Sequence, residues 1–322
     1  MDIEKLEKWA ADLGFKQFGV CSVNDFSEQK VVVEQQPKLK ERKQLRYFPK
    51  EDYPNAKSLL VLLYPYMPAQ HPNDEDSVFI DSYYDASNRA YHAAELLEKR
   101  ILDAGYFAKA NVSYPAKTAA IRAGLGFIGD HGLLITPEYG TRVVIILIAT
   151  DAVEPKETQK CAYTECLHCG KCEEICPADA IDLRDGFDPS KCLRNFILEG
   201  IVVPENVRSK IGRRFIGCDS CQNVCPMQPQ FPEMKTQQFK LRSFLTTDEA
   251  AFKASCVMLG EQIGRNAARP QRIRAQAALL AGSMKREDGK STLQEWSNSE
   301  FDAVRIHAQW ALEQLNKDDT GA

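Results

Sequence analysis

The pattern of apolar and polar positions predicts a mixed α and β organisation for the first half of the chain. Residues 1–24 have helical spacing and then strand spacing. Two almost continuous apolar runs, SLLVLLYPY (58–66) and VVIILIATD (143–151), are typical of strands buried on both faces. An amphipathic helix is predicted between them, over about 82–104. We therefore expect an α+β domain over residues 1–155, with an α/β sandwich-like arrangement.

The last part of the chain, from about Thr246, has helical periodicity throughout. The segments IRAQAALLAG and VRIHAQWALEQ share one rhythm of apolar positions, which favours a pair of HEAT-like helical repeats over 240–322. Two copies fit generic amphipathic helices equally well.

Composition and charge indicate an ordinary globular protein. The 322 residues are 44% apolar and 27% charged, with a formal net charge of −4. The sequence has no apolar run long enough to cross a membrane. Its first helix is charged and amphipathic, unlike a signal peptide. We expect a cytoplasmic protein with reduced thiols, whose clustered cysteines bind metal rather than form disulfides.

The cysteines are concentrated in one module, predicted over 156–232. Of the eleven cysteines, all except Cys21 and Cys256 lie between Cys161 and Cys225. We interpret Cys21 and Cys256 as packed apolar residues, and Cys161 as a bystander to the metal site.

The module contains two motifs, C-x2-C-x2-C-x3-C-P and C-x2-C-x3-C-P, with one cysteine between them. Eight cysteines suit two [4Fe-4S] clusters, in which the cysteine before each proline crosses to the other cluster. The predicted cluster 1 ligands are Cys166, Cys169, Cys172 and Cys225. The predicted cluster 2 ligands are Cys176, Cys192, Cys218 and Cys221. The alternative, a zinc module of two C-x2-C pairs, leaves the third cysteine and the Cys-Pro endings unexplained.

The glycine-rich stretch GLGFIG (124–129) matches a dinucleotide-binding pattern in letters only. That pattern requires a strand before the glycines and a helix after them, whereas here a helix is predicted before and a strand after. The glycines instead allow the backbone to approach a flat ligand, or to turn tightly against a neighbouring helix.

Several stretches together resemble the epoxyqueuosine reductases, iron–sulfur and cobalamin-dependent enzymes that complete queuosine in tRNA. They are LEKWAADLGFKQFGV, RAGLGFIGDHGLLITPEYGT, the first cysteine motif, KCLRNFILEG and IGRRFIGCDSCQNVCP. The resemblance implies that the clusters pass electrons to a cobalamin, and that the helical tail contacts tRNA. It also implies that a corrin is held near the glycine loop without an axial ligand from the protein. His131 is therefore not expected to coordinate cobalt. The residues expected to hold the corrin are Arg122, Gly124, Gly126, Phe127 and Gly129.

The chain departs from this family where a proton-donating acid is expected. The family carries a D-[ST]-x-P stretch, and here Val112-Ser113-Tyr114-Pro115 stands in its place, with Ser113 at the position taken for the acid. The family's R-D-Y-H is Arg89-Ala90-Tyr91-His92. Because reductive C–O cleavage needs a proton, we expect Tyr114, Tyr91 or His92 to supply it.

Basic residues suggest a nucleic-acid contact on this acidic chain, although a solvated helix face explains them equally well. The candidates for tRNA binding are Arg213, Arg214, Arg265, Arg269 and Arg272. We also expect an external electron donor of ferredoxin or flavodoxin type. Two other functions remain open: a cobalamin-dependent iron–sulfur reductase of a small molecule or corrinoid protein, and a non-catalytic two-cluster electron carrier.

Overall fold

The computed structural model describes residues 1–34, 46–71, 74–155 and 165–318. Cys161 lies outside these ranges. The strands are β1 (Gln17–Ser22), β2 (Ser58–Pro65), β3 (Ser77–Ile80), β4 (Ala108–Ala110), β5 (Phe127–Ile128), β6 (Leu134–Ile135), β7 (Val143–Thr150), β8 (Ile181–Asp182), β9 (Gly186–Phe187), β10 (Arg214–Ile216) and β11 (Phe239–Lys240). The helices are α1 (Ile3–Asp12), α2 (Ser27–Glu34), α3 (Pro49–Asp52), α4 (Ser82–Asp103), α5 (Ala116–Arg122), α6 (Lys171–Ile175), α7 (Leu193–Glu199), α8 (Glu205–Arg208), α9 (Ser220–Asn223), α10 (Glu249–Ile263), α11 (Pro270–Ser283), α12 (Lys290–Trp296) and α13 (Asp302–Asp318). Short 3-10 helices lie at Leu241–Ser243 and Glu287–Gly289.

An antiparallel sheet with strand order β1-β2-β7-β4 organises the N-terminal part. Leu60 and Leu62 of β2 pack on the face that α1 and α4 cover. Leu59 and Leu63 pack on the opposite face, with the buried residues of α5. Both faces are therefore buried, which explains why β2 and β7 are apolar at almost every position. The predictions of two central strands and one long helix are confirmed.

A second sheet joins the N-terminal part to the rest of the molecule. Its central strand, β3, pairs in parallel with β10 and antiparallel with β11. Val78 and Ile80 of β3 belong to a hydrophobic core that also contains residues of α7, α10, α11 and α13. The predicted segments 156–232 and 240–322 thus share one core, to which a strand from the predicted N-terminal domain contributes.

The C-terminal segment is helical, as predicted. Helices α11 and α13 pack closely because Gly282 leaves room for Ala311, whose Cα would lie 2.7 Å from a Cβ added at Gly282. The α+β class is confirmed, whereas the HEAT-like and sandwich-like descriptions stay predictions. Across the ranges that the structure describes, no helix is both long and apolar enough to span a membrane.

Candidate iron–sulfur site and adjoining cleft

The structure brings three cysteines of the first motif together with the last cysteine of the second. Left-handed backbone at His168 (φ 49°) and Gly170 (φ 76°) turns the chain sharply between them. This winding points several thiols toward one centre. The residues that line the shared cavity include all four predicted ligands of cluster 1: Cys166, Cys169, Cys172 and Cys225.

The other four predicted ligands form a second group. Cys192 directly precedes α7, and Cys176 ends α6, where its Sγ accepts a hydrogen bond from the Ala180 N–H at 3.3 Å. Burial first, and then the charges of Cys218, Cys192 and Cys176, raise the pKa of Cys221. Cys172 of the first group also contributes to this shift, so the two groups of thiols are neighbours.

The buried positions of these thiols disfavour the thiolate form unless a metal ion compensates its charge. Burial raises the pKa of Cys172 to about 11 and also raises the pKa of Cys192, Cys218 and Cys225. A thiol in such a place loses its proton when a metal compensates the thiolate charge. Eight cysteines, predicted as two groups of four, are the number of donors that two cubes require.

Polar contacts fix the second motif against the N-terminal sheet. Gln222 of α9 accepts hydrogen bonds from the Tyr66 and Thr141 hydroxyls, at 2.9 and 3.1 Å. Gln228 accepts from the Thr141 backbone N–H and hydroxyl, both at 2.9 Å. The guanidinium of buried Arg142, the residue before β7, lies 3.9 Å from the Asp219 carboxylate. These contacts hold Cys221 and Cys225 in register with the first motif.

The turn between β5 and β6 also reaches cluster 1. Asp130 and His131 line the same cavity as its four cysteines. Asp130 Oδ1 lies 2.9 Å from Nδ1 of His168. His131 is 3% exposed, and its Nδ1 accepts the Leu133 N–H at 3.1 Å. Burial first, and then the charge of Lys117, lower the pKa of His131 to about 4, so this imidazole is neutral.

A cleft of about 830 Å³ lies between α4 and the turn joining α10 to α11. Asn88 links α4 to the end of α10: its side-chain amide donates to the carbonyls of Glu261 and Gln262, at 3.2 and 3.3 Å. The lining is aromatic on one side and basic on the other. It includes Tyr83, Tyr84, Tyr91, His92, Arg194, Arg265 and Arg272.

Arg194 and Tyr84 connect this cleft to cluster 2. Arg194 follows Cys192 by two residues, and its guanidinium stacks on Tyr83 at 4.3 Å. Its Nε donates to the Tyr84 hydroxyl at 3.2 Å. The Tyr84 ring in turn packs against Gly217, next to Cys218, where an added Cβ would lie 2.8 Å from the ring. The cleft wall thus packs against residues that are next to two cluster 2 ligands in sequence.

The three candidate proton donors do not converge. Tyr91 and His92 line the cleft, and His92 Nδ1 lies 3.0 Å from Glu95. Tyr114 is 5% exposed and packs in the core on the opposite face of the sheet, where its hydroxyl donates to Asp52 at 2.7 Å. Burial first, and then the hydrogen bond to Asp52, raise the pKa of Tyr114. Ser113 is exposed.

The candidate tRNA-binding arginines lie in different places: three at the cleft and two outside it. Arg265 and Arg272 line the cleft, and exposed Arg269 donates to Asn266 nearby at 3.0 Å. Arg213 lies elsewhere, in a second cleft, and donates to the carbonyl of Asp74 at 2.6 Å. Arg214 donates to Ser220 at 2.9 Å and to two carbonyls, so it holds the second cysteine motif in place.

The glycine loop turns tightly against the strand that follows it. A Cβ added at Gly126 would overlap the Ile135 carbonyl, so the close approach is to protein and not to a ligand. Phe127 and Gly129 are also buried, whereas Gly124 is accessible at the end of α5. Arg122 donates to the Asp25 carbonyl at 2.8 Å and packs over Phe26. The tight packing of this turn against a neighbouring element describes Gly126, and a part of the loop in holding a corrin stays a prediction.

Sequence reasoning missed the buried charges beneath the cleft. Asp81 is buried at the start of α4, and burial, followed by the Asp219 carboxylate, raises its pKa to about 6. An aspartate directly before a long predicted helix indicates only a helix cap. Only its position two residues after Cys192 could have indicated a role for Arg194. Its aromatic partners come from a helix that is distant in sequence.

Comparison with known proteins agrees with this geometry. Residues 165–228 match the family model of the 4Fe-4S double cluster binding domain. The epoxyqueuosine reductase of Aliivibrio fischeri is 26% identical, over 96% of this chain and 90% of that protein. The enzyme of Lactococcus garvieae is 30% identical, over 69% of this chain and 68% of that protein. A structure of epoxyqueuosine reductase with an epoxyqueuosine-modified tRNA-Tyr stem loop matches the fold with a TM-score of 0.77, at 22% identity, covering 97% of this chain and 90% of that one.

The fold and the two groups of cysteines define an iron–sulfur oxidoreductase with a double 4Fe-4S cluster domain. The chain belongs to the epoxyqueuosine reductase family.

Proposed function

We propose that this protein reduces the epoxide of epoxyqueuosine in tRNA to the alkene of queuosine, with electrons supplied through two [4Fe-4S] clusters. The observation that carries the proposal is the position of the cleft next to the segments that hold the cluster 2 ligands. Tyr84 packs against Gly217, the residue before Cys218, and makes no hydrogen bond to the cysteines that the structure describes. Arg194, two residues after Cys192, donates to the Tyr84 hydroxyl. Both side chains line the cleft, so we infer that cluster 2 lies behind this wall of the cleft.

The reaction balances with what two clusters carry. Removing the epoxide oxygen breaks two C–O bonds, forms one C=C bond, and consumes two electrons and two protons to release water. Each cluster passes one electron at a time, so the pair together holds the two electrons of one turnover. A ferredoxin or flavodoxin type of donor would refill them. Electron entry at cluster 1 is supported by the exposure of Cys169 and of the neighbouring apolar residues Leu167 and Ile175.

Cobalamin is the second cofactor that we propose, on the basis of the family. When bound, it supplies a cobalt centre that delivers electrons to a carbon atom of the substrate. The glycine loop fits a corrin only at its accessible parts, Gly124 and Ile128, since Gly126, Phe127 and Gly129 are buried against β6 and the adjoining turn. The proposed support for the corrin consists of Arg122 with Gly124, Gly126, Phe127 and Gly129, of which the last three are buried and shape the loop.

The proton donors are the two candidates that line the cleft. Tyr91 is 48% exposed and His92 lies beside it, with ring centroids 5.7 Å apart. A tyrosine hydroxyl or a protonated imidazole can transfer a proton to a leaving oxygen and recover it from solvent. Tyr114 shares its proton with Asp52 in the core, which supports a structural role for it.

The tRNA is held by its phosphates and by stacking of its bases on aromatic rings. Arg265 and Arg272 face Tyr91 and His92 across one cleft, which is the combination that single-stranded nucleic acid prefers. Arg269 extends the basic edge outward, while the HEAT-like packing proposed for the C-terminal helices would form the platform. We place the reaction in the cytoplasm, where tRNA is modified and thiols stay reduced.

A reductase of a small molecule is the second candidate, favoured by the residues in place of the family's acid. Val112 is buried and Ser113 is exposed, and neither side chain donates a proton at neutral pH. Such an enzyme would use the same clusters and cleft without needing tRNA.

The test is anaerobic turnover with epoxyqueuosine-containing tRNA, dithionite and added cobalamin, followed by mass analysis of the released nucleosides. Loss of one oxygen from the modified nucleoside supports the proposal. A protein with full clusters and bound cobalamin that leaves the nucleoside unchanged overturns it. Reduction of the free nucleoside at the same rate as the tRNA would instead favour the small-molecule reductase.

A further inference from the structure

One buried donor near cluster 1 has no partner among the described residues. His131 accepts a backbone hydrogen bond at Nδ1, so its ring proton resides on Nε2. Nε2 is shielded from solvent and makes no hydrogen bond to the part of the chain that the structure describes. A buried N–H without a partner is costly, by about 1–3 kcal/mol, and is uncommon in folded proteins. The structure therefore implies an acceptor that these residues do not supply.

The surroundings identify the acceptor. His131 lines the cavity formed by Cys166, Cys169, Cys172 and Cys225. Asp130 lines it too, but neither of its side-chain oxygens makes a hydrogen bond to His131 Nε2. His131 is consequently a donor in this cavity whose proton is not already used. The sulfides and thiolates of an iron–sulfur cube are electron-rich acceptors.

We propose that His131 donates a hydrogen bond from Nε2 to a sulfur of cluster 1 and raises the reduction potential of that cluster. A donor stabilises the reduced cube more than the oxidised one, because reduction adds a negative charge to the iron–sulfur core. This inference rests on the two-cluster assignment and not on the tRNA substrate. His131 acts through the cluster and is a positioning residue, not a catalytic one.

The experiment is a redox titration of the anaerobic protein, with both clusters followed by electron paramagnetic resonance. In His131→Leu, we expect the ratio of reduced to oxidised cluster 1 at a fixed potential to fall about tenfold, which corresponds to a midpoint lower by about 59 mV. His131→Gln places an amide N–H near the same point and should restore most of the shift. The midpoint of cluster 2 is the internal control and should not move.

Loss of cluster 1 from His131→Leu, with retention in His131→Gln, would also support the hydrogen bond. An unchanged midpoint in a fully loaded His131→Leu protein overturns the proposal. Equal loss of cluster 1 from both variants also overturns it. That result would mean that the cluster depends on the shape of the imidazole ring and not on its N–H.

Discussion

Cys176 and Cys225 each precede a proline. Cys225 lines one cavity with three cysteines of the first motif, and we predict the matching arrangement of Cys176 with Cys218 and Cys221. The proline prevents the chain from continuing as a helix around the first centre, so the last thiol projects toward the second. Each motif consequently depends on the other for its fourth ligand. Damage at one of these two positions should appear in the cluster of the opposite motif.

We predict that Cys176→Ala impairs cluster 2 and leaves cluster 1 intact. The matched variant, Cys225→Ala, should do the reverse. The parent should contain about eight irons and eight sulfides per chain, as two cubes require. Electron paramagnetic resonance distinguishes the two clusters, and selective loss of cluster 1 from Cys176→Ala would refute the crossing.

The two tyrosines proposed from sequence should separate into a structural and a catalytic residue. Tyr114→Phe removes a hydrogen bond to Asp52 from the core, so the free energy of unfolding should fall by about 1 kcal/mol. Tyr91→Phe, at an exposed position, should leave stability unchanged and slow turnover by about 10²-fold. Urea denaturation and single-turnover kinetics measure the two effects. The assignment fails if Tyr114→Phe is the variant that loses turnover while keeping its stability.

At the residue scale, the spacing of the cysteines predicts a double-cluster domain, and the family model that matches residues 165–228 confirms that prediction. Three ligands of one cube, Cys166, Cys169 and Cys172, can be predicted because they are close in sequence, whereas the fourth must come from the other motif. The roles of Tyr114 and Arg194 could not be predicted in this way. Each depends on a partner from a distant segment, Asp52 for Tyr114 and Tyr84 for Arg194.

Among the secondary-structure elements, those with a local sequence signal could be predicted and those that depend on distant partners could not. Strands β2 and β7 were predictable because both are buried on two faces and carry almost no polar position. The pairing of β3 with β10 and β11 had no such signal, since it joins short segments that are far apart in sequence. The partner of Gly126 could not be predicted, because the pattern of glycines suits a ligand as well as the strand that follows the loop.

Glycine packing between helices gives a test at this scale. A Cβ added at Gly282 would meet Ala311 and Trp310, each at 2.7 Å, while one at Gly260 would meet only ordinary contacts at 3.5 Å and beyond. Gly282→Ala should lower the free energy of unfolding by about 1–3 kcal/mol, because α11 and α13 must separate. Gly260→Ala should be neutral or stabilising by up to about 1 kcal/mol, owing to helix propensity alone. Equal effects of the two substitutions would contradict the close packing of these helices.

The whole molecule combines a redox module with a basic, aromatic cleft on an acidic chain. Its net charge of −4 makes non-specific attraction to tRNA weak, so binding depends on local cations. Arg265 and Arg272 were predictable as basic residues, yet only the tertiary structure places them opposite Tyr91 and His92. Arg213 and Arg214, predicted from the same basic composition, lie outside this cleft.

We predict that Arg265→Gln weakens tRNA binding and reduces its salt dependence. Each lost phosphate contact should reduce the slope of log affinity against log salt by roughly 0.7–0.9. Lys8→Gln, at an exposed position on α1 away from the cleft, is the control and should change neither quantity. An Arg265→Gln protein with the parent's slope would show that this arginine does not contact the tRNA.

The central claim is that electrons pass from the two clusters to an epoxide bound on tRNA, and stopped-flow reoxidation tests it most directly. The reduced, cobalamin-loaded protein is mixed without oxygen with epoxyqueuosine-containing tRNA, and the cluster absorbance is followed with time. We expect both clusters to be reoxidised, with one nucleoside reduced for every two electrons lost. Queuosine-containing tRNA, which lacks the epoxide, should leave the clusters reduced. Clusters that remain reduced with the epoxide-bearing tRNA bound, or that are reoxidised equally by both tRNAs, would contradict the account.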